Sequence, residues 1–305
     1  MRAISCVMIV AAFYHFAPVA EPARLKAPLA KLGCGGAVKG TVLIAPEGVN
    51  GTVAGPAEAV HRFLAHIRTW PGFAGLRHKE SQSAEPPFRR FKVRVKREIV
   101  TMGQPAVDPR AGVGTYVTPG DWNAVVTDPN TVVIDVRNDY EVAIGSFAGA
   151  IDPGTAAFGD FPTWWARNED RFAGKRVAMF CTGGIRCEKS TNYLISQGAN
   201  DVCHLEGGIL AYLKDVPATQ SLWRGSCFVF DDRVSLDHGL SEGPHILCHA
   251  CRRPIHPDDR QRPEYEEGVQ CHLCADDQTA ERADRFRERQ RQIALARARG
   301  SQHLA

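Results

Sequence analysis

Phe180-Cys181-Thr182-Gly183-Gly184-Ile185-Arg186-Cys187-Glu188-Lys189-Ser190 is the stretch on which the reading of the fold turns. Val177 to Phe180, just before it, is a short apolar strand pattern, and Lys189 to Gln197, just after, has helical spacing. A cysteine at the carboxyl end of a strand, followed by two glycines and a helix, stands where an open parallel α/β sheet binds ligands. Gly183 and Gly184 let the backbone curl until its N–H groups converge on one point, an anion cradle. A thiol in that cradle, near a helix N-terminus and the Arg186 guanidinium, favours its ionised form. Cys181 is therefore the candidate nucleophile and Arg186 the second catalytic candidate, holding anionic intermediates together with the loop N–H groups, with Thr182, Gly183, Gly184 and Ile185 completing the loop. The competing reading is a buried strand-end cysteine next to a glycine turn. Cys187 has two readings as well: a partner that resolves an oxidised Cys181, or a half-buried residue of the first helical turn.

Working outward, Val132 to Val136 and Val202 to Leu205 are further short apolar runs, so strands alternate with helical segments. That alternation predicts a parallel sheet covered on both faces. Asp135 and Arg137, at the end of the first of these strands, read as an ion pair that fixes the loop or caps the sheet edge. Trp164 and Trp165 read as core or interface aromatics. Upstream, residues 7 to 16 form a strand pattern and Glu21 to Leu32 a helix. Thr41 to Ala45 and Gly51 to Ala54 are two strands around a turn, a helix opens at Pro56, and Phe91 to Val95 is a last strand. This βαββαβ order predicts a ferredoxin-like sandwich. Gly103 to Gly120 is Pro/Gly-rich and reads as a linker. The predicted division is thus 1–105, 121–222, a polar Cys-rich segment 223–278, and a basic helical tail 279–305.

The chain has 305 residues, 44% hydrophobic and 23% charged, which excludes a disordered or collagen-like protein. Its net charge of +3 conceals a segregation. Residues 1–105 carry 15 Lys and Arg against 6 Asp and Glu, whereas residues 106–220 carry 9 against 14. The basic first domain predicts a polyanionic partner whose phosphates supply most of the affinity. Arg89, Arg90, Lys92, Arg94, Lys96 and Arg97 surround the strand at Phe91 and are the candidate RNA contacts; an edge strand protected by charge explains them equally well. The tail from Glu281 to Arg299 has seven arginines against three acids and reads as a solvated helix, with a nucleic-acid arm as the alternative. No apolar run reaches the roughly 20 residues of a membrane helix. A signal-peptide core can be drawn over Ile4 to Tyr14, but Ser5 and Cys6 interrupt it.

Four of the ten cysteines stand as two pairs, Cys248/Cys251 and Cys271/Cys274, separated by nineteen residues. Two tight pairs of thiolates at this spacing suit a tetrahedral zinc ion, and four sulfurs close its shell, which makes the site structural. Two free redox pairs are the alternative. This cysteine usage fits a reducing compartment, hence the cytoplasm; neither a membrane nor DNA is an expected partner.

Three motifs carry a resemblance. Asp135-Val136-Arg137-Asn138-Asp139-Tyr140-Glu141, the Cys181 loop, and Glu206-Gly207-Gly208-Ile209-Leu210-Ala211-Tyr212 occur in the order of a rhodanese domain. In that family the loop cysteine carries a persulfide; related phosphatases place the arginine six positions after the cysteine, and Arg186 follows Cys181 by five. The flanks narrow the resemblance. Phe13-Tyr14-His15-Phe16, Ala45-Pro46-Glu47-Gly48-Val49-Asn50-Gly51, Phe228-Val229-Phe230-Asp231-Asp232-Arg233 and the two Cys pairs are, together, similar to the tRNA uridine(34) hydroxylase family. That resemblance implies a ferredoxin-like domain joined to a rhodanese domain. It implies oxygen-dependent hydroxylation of the wobble uridine at carbon 5, giving 5-hydroxyuridine, with Cys181 as the active-site residue. The implied partner is the tRNA anticodon stem-loop, and the co-substrates are molecular oxygen and an electron donor that the resemblance does not name. The residues themselves leave two other readings open: a sulfurtransferase carrying a persulfide on Cys181, and an RNA-binding zinc module without catalysis. No flavin or haem signature is present, so the resemblance alone carries the reaction type.

Overall fold

The computed structural model describes residues 8–300, so the start of the signal-peptide reading and the last five residues of the tail lie outside the described residues. The chain divides into two compact units, one formed by residues 1–232 with 236–242, the other by 233–235 with 243–305.

The larger unit holds two main sheets. The first begins with β1 (Met8–Phe16), α1 (Pro22–Gly35), β2 (Lys39–Ala45), β3 (Gly48–Gly55) and α2 (Ala57–Arg68), close to their expected positions. β4 (His78–Ser83) and β5 (Phe91–Val95) follow, and the strand order is β4-β1-β3-β2-β5. Ala11 and Phe13 of β1, Val42 and Ile44 of β2, and Val49 and Val53 of β3 bury one sheet face against Leu29 of α1 and Val60, Phe63, Leu64 and Ile67 of α2. Alternation along a strand then puts Tyr14 on the opposite face. The sequence reading is corrected in one respect. The strand that closes the βαββαβ unit, antiparallel to β1, is β4; Phe91–Val95 is an added edge strand parallel to β2. β4 reads HKESQS and has no apolar alternation to betray it.

The second sheet is parallel, in the order β6-β10-β9-β7, from β6 (Thr115–Val117), β7 (Thr131–Asp135), β9 (Arg176–Phe180) and β10 (Val202–Leu205); β8 (Gly145–Phe147) pairs instead with β11 (Trp223–Gly225). The three expected strands are present. The fourth, β6, lies inside the expected linker, and α3 (Pro119–Thr127) starts there too. Three residues between Gly and Pro are too few to show a period. Two cores cover the sheet. Trp122, Phe147, Phe180, Ile209, Tyr212 and Trp223 pack on one side; Ile134, Phe161, Trp165, Met179, Cys181 and Leu194 pack on the other. α4 (Asp139–Val142), α5 (Phe161–Asn168), α6 (Ile185–Ser196) and α7 (Gly208–Asp215) complete the unit.

The two sheets are pinned to each other by buried charge. Lys189 of α6, 2% exposed, donates to Glu98 Oε2 at 2.6 Å and to the Val100 carbonyl at 2.9 Å, and lies 2.9 Å from Glu47 Oε2 in the turn between β2 and β3.

In the smaller unit, Ile246–Leu247 and Pro254–Ile255 form a two-stranded antiparallel ribbon whose turn carries Cys248 and Cys251. α8 (Ala280–Ala298) packs Phe286 against the cysteine cluster. Its arginines are partly engaged. Arg287 makes a two-pronged bond to Glu266 at 2.7 and 2.8 Å, and Arg289 donates to the Gly268 carbonyl at 2.8 Å. Among the described residues no helix is long and apolar enough to cross a membrane.

Candidate active site

β9 ends at Phe180 and α6 begins at Ile185, so Cys181 to Gly184 turn the chain. Gly184 makes the turn possible with φ 102°, a left-handed conformation that a Cβ disfavours. Its N–H then donates to Cys181 Sγ at 3.1 Å. The carbonyls of Cys181 and Thr182 accept from Ile209 and Leu210 N–H, at 3.0 and 3.1 Å, in the first turn of α7. Gly208 opens α7 at φ 66°, and a Cβ there would stand 2.4 Å from the Cys181 oxygen and 2.8 Å from the Gly184 nitrogen. Glycine at 208 is a condition for closing the loop.

Cys181 has no exposed surface. Burial alone drives a thiol pKa up. The thiol of Cys187, the charge of Arg186 and the backbone N–H groups of Cys187 and Gly184 overcome burial and bring Cys181 down to about 5. Cys187 carries the complement: burial and the neighbouring Cys181 sulfur push its thiol well above the ordinary value, so it stays protonated and donates. Cys187 thus lies in the first turn of α6 as expected, but fully buried instead of half-buried, with its thiol donating to Cys181.

Arg186 is held by a residue that sequence reasoning quoted only as part of a motif. Its guanidinium meets Glu141 two-pronged, at 2.6 and 2.8 Å, and reaches Thr182 Oγ1 at 3.2 Å. Thr182 in turn donates to Glu141 at 3.1 Å. Burial works against the Glu141 carboxylate, yet Arg186 holds its pKa below the ordinary value. Asp135 and Arg137 form a fully buried two-pronged pair at 2.6 and 2.8 Å. Neither is bonded to the loop itself; Arg137 donates to the Glu141 carbonyl at 3.2 Å and to Gly145, and so fixes the helix that carries Glu141.

The first domain contributes residues to which sequence reading assigns no role, Tyr14 being quoted only within a motif. Tyr14 of β1 donates to Glu188 Oε1 at 2.7 Å, and Tyr116 of β6 donates to the same oxygen at 3.1 Å. Burial raises the pKa of Glu188, with the nearby Cys181 adding to it, against the two hydroxyl bonds. Lys79 of β4 donates to the Gly183 carbonyl at 2.9 Å, with its ammonium 5.7 Å from the centre of the Tyr14 ring. The basic stretch lies elsewhere. β5 is the edge of the first sheet opposite β4, where Arg89, Arg90, Arg94, Lys96 and Arg97 are exposed and Lys92 is half-buried.

In the smaller unit the sulfurs of Cys248, Cys251, Cys271 and Cys274 lie within 4.8 Å of one another. Cys251 to Cys271 is 3.8 Å and Cys271 to Cys274 is 3.9 Å. A zinc tetrahedron with metal–sulfur bonds of about 2.3 Å has edges of about 3.8 Å, so this donor set fits a metal of that size. Four sulfurs leave no open position. A second cluster, His61, His78 and Glu80, is partly exposed. His78 Nδ1 accepts from Arg68 at 3.0 Å, which leaves the proton on Nε2, the nitrogen that faces Glu80 at 2.7 Å. That tautomer suits a hydrogen bond and not a metal.

A parallel sheet that presents a cysteine in a glycine-built cradle at a strand end is the architecture of a rhodanese-like domain. Residues 8–99 match the UPF0176 acylphosphatase like domain and residues 118–215 the Rhodanese-like domain. A tRNA uridine(34) hydroxylase of Ruegeria pomeroyi is 63% identical over 296 residues, covering 97% of this chain and 98% of the relative. That of Roseobacter denitrificans is 60% identical over 291 residues, covering 95% and 98%. Among solved structures, a rhodanese-related protein of Thermoplasma volcanium aligns at 22% identity over 33% of this chain and 93% of its own, with a TM-score of 0.28. The chain belongs to the tRNA uridine(34) hydroxylase family, a family of hydroxylating oxidoreductases.

The loop geometry predicts the pH dependence of the thiol. Alkylation of the Cys181 peptide, followed by mass spectrometry and normalised to its alkaline plateau, is expected to be half-maximal near pH 5 and to fall below that as the sulfur protonates. Cys187→Ala removes one donor to the sulfur and should move the midpoint up by about one pH unit. A wild-type midpoint near 8 would overturn the cradle.

Proposed function

We propose that the protein hydroxylates the wobble uridine of tRNA at carbon 5, giving 5-hydroxyuridine, with Cys181 as the essential sulfur, as thiolate or persulfide. The carrying observation is an ionised cysteine in a cradle assembled from both domains of a chain 63% identical to a named member of the family. Molecular oxygen and an electron donor enter as co-substrates: one oxygen atom goes to carbon 5, and the other leaves as water with two electrons and two protons. Cys181 is the catalytic residue, and the loop N–H groups hold negative charge that develops beside it. Arg186 spends its two prongs on Glu141, so its part is to shape the loop and supply field. Asp135 and Arg137 support that arrangement from behind. In this reading residues 1–105 contact RNA, the parallel-sheet domain, expected at 121–222 and extended upstream by β6 and the start of α3, carries the chemistry, 223–278 hold zinc, and 279–305 form the tail. The enzyme works in the cytoplasm on the anticodon stem-loop.

A deletion strain complemented with wild type or Cys181→Ser tests the reaction. Mass spectrometry of wobble nucleosides should find 5-hydroxyuridine and its derivatives only with wild type; an unchanged profile with Cys181→Ser would sink the proposal. A purified protein that passes sulfur to cyanide while leaving tRNA unchanged under oxygen would support the sulfurtransferase reading instead.

Two further outcomes follow from the proposed parts. The triple variant Arg94→Ala, Lys96→Ala, Arg97→Ala should weaken tRNA binding and flatten the slope of log K against log salt by about 2. An unchanged slope would return these residues to the role of a charged sheet edge. Metal analysis should find about one zinc per chain, lost in Cys248→Ser with Cys271→Ser, and a protein free of metal would refute the zinc site.

A further inference from the structure

The Gly183 carbonyl and the Gly184 N–H belong to one planar peptide unit. On one side of that unit Lys79 Nζ donates to the carbonyl at 2.9 Å; on the other the N–H donates to Cys181 Sγ at 3.1 Å. The sequence of contacts is therefore ammonium, peptide, sulfur, with the ammonium supplied by the first domain and the sulfur by the second. Peptide dipoles in such a chain polarise one another, so a positive charge on the carbonyl side strengthens the N–H bond on the other.

The surroundings of Lys79 fit this use. Gly207, at the start of the α7 signature, leaves room for its stem: a Cβ there would lie 3.1 Å from Lys79 Cε. Among the described residues no carboxylate lies within ion-pair distance of the ammonium; its contacts are the Gly183 carbonyl and the Tyr14 ring. A half-buried ammonium without a carboxylate is unusual, because desolvation disfavours the charge unless something opposite balances it. Burial does lower the pKa of Lys79, and the Cys181 thiolate is foremost among the groups that oppose this. The other charged groups that bear on Lys79 are Arg77 of the same domain, Glu188 of α6 and Glu206 before α7. Those that bear on Cys181 from its own domain are Arg186 and Cys187.

We infer that Lys79 is a positioning residue of the thiol centre, acting through the Gly183–Gly184 peptide to orient and polarise the N–H that holds the Cys181 sulfur. The inference deepens the proposed reaction and rests on Cys181 being its working sulfur. It makes the first domain a component of the nucleophile as well as an RNA-binding surface.

The test uses the full chain and reads the thiol, not the hydroxylation. In Lys79→Met the midpoint of Cys181 alkylation should rise by about one pH unit, which at pH 5 is roughly a fivefold slower reaction relative to plateau. Lys79→Arg keeps charge and donor and should restore the wild-type profile to within about 0.3 unit. Lys79→Gln keeps a donor without charge and should behave like Lys79→Met, so the Arg and Gln variants decide the matter even where Lys79→Met does not fold. Arg77→Ala controls for domain docking, since it removes the exposed Arg77–Glu206 contact of 2.9 Å between the same two domains. It should leave the midpoint in place. A profile for Lys79→Gln that matches wild type, or a shift in Arg77→Ala as large as that in Lys79→Gln, would overturn the inference. The expected alkylation shifts together with wobble nucleosides unchanged in Cys181→Ser would instead sink the proposed reaction and leave the role of Lys79 standing.

Discussion

A negative sulfur with no exposed surface is the constraint around which the larger unit is arranged. Removing a charge from water is costly, and the sulfur stays ionised only where donors already point at it. Here they come from three directions. Gly184 and Cys187 supply backbone N–H groups, the Cys187 thiol supplies a third donor, and Arg186 supplies the field. None of these can converge unless the loop turns tightly, which requires a left-handed Gly184 and a Gly208 without a side chain.

The remaining buried charges serve the same geometry. Glu141 occupies both prongs of Arg186, and Asp135 occupies Arg137, so each pair is internally neutral. Buried pairs of this kind add little net stability compared with apolar packing, but breaking one is expensive, and that asymmetry makes them rigid positioning devices. Arg186 shows the consequence. With its donors committed to Glu141 and Thr182, it acts on Cys181 at a distance, as a field, and not as a clamp on a ligand. Cys187 follows the same logic. A thiol whose pKa burial has raised is a poor nucleophile and a dependable donor.

What the sequence made legible follows from where the signal lies. The Cys181 loop, the parallel strands around it and the Cys248 to Cys274 cluster are local: each depends on spacing within a few residues, or on two short pairs. β4 is the opposite case. Its residues are polar because one face meets His61 and the other meets the thiol loop of another domain, so no apolar alternation marks it as a strand. β6 was hidden for a simpler reason, since three residues within a Gly/Pro-rich stretch show no period. Tyr14, Lys79, Tyr116 and Glu188 come from four elements spread over the chain, and only tertiary contact brings them together. Glu188 was quoted as part of the loop, yet nothing in its neighbours foretold two tyrosine hydroxyls on one carboxylate oxygen.

The charges around the sulfur also explain why the thiol centre needs the first domain. With Glu141 matched to Arg186 and Asp135 to Arg137, the parallel-sheet domain offers the Cys181 thiolate no unmatched cation of its own. Beside the field of Arg186, the coupling inferred above brings one more cation to it through a single peptide group, Lys79 on β4. Such an arrangement is reciprocal by thermodynamic necessity: whatever the docked domain does to favour the thiolate, the thiolate does to favour docking. Lys189, bound to Glu98 and Glu47, holds the same two domains by a separate contact that does not depend on the state of the sulfur. Docking therefore does not rest on the sulfur alone. The basic first domain and the acidic second one are in this sense a single charge distribution, whose division along the sequence conceals that a cation one peptide group away from the sulfur lies outside the domain that carries it.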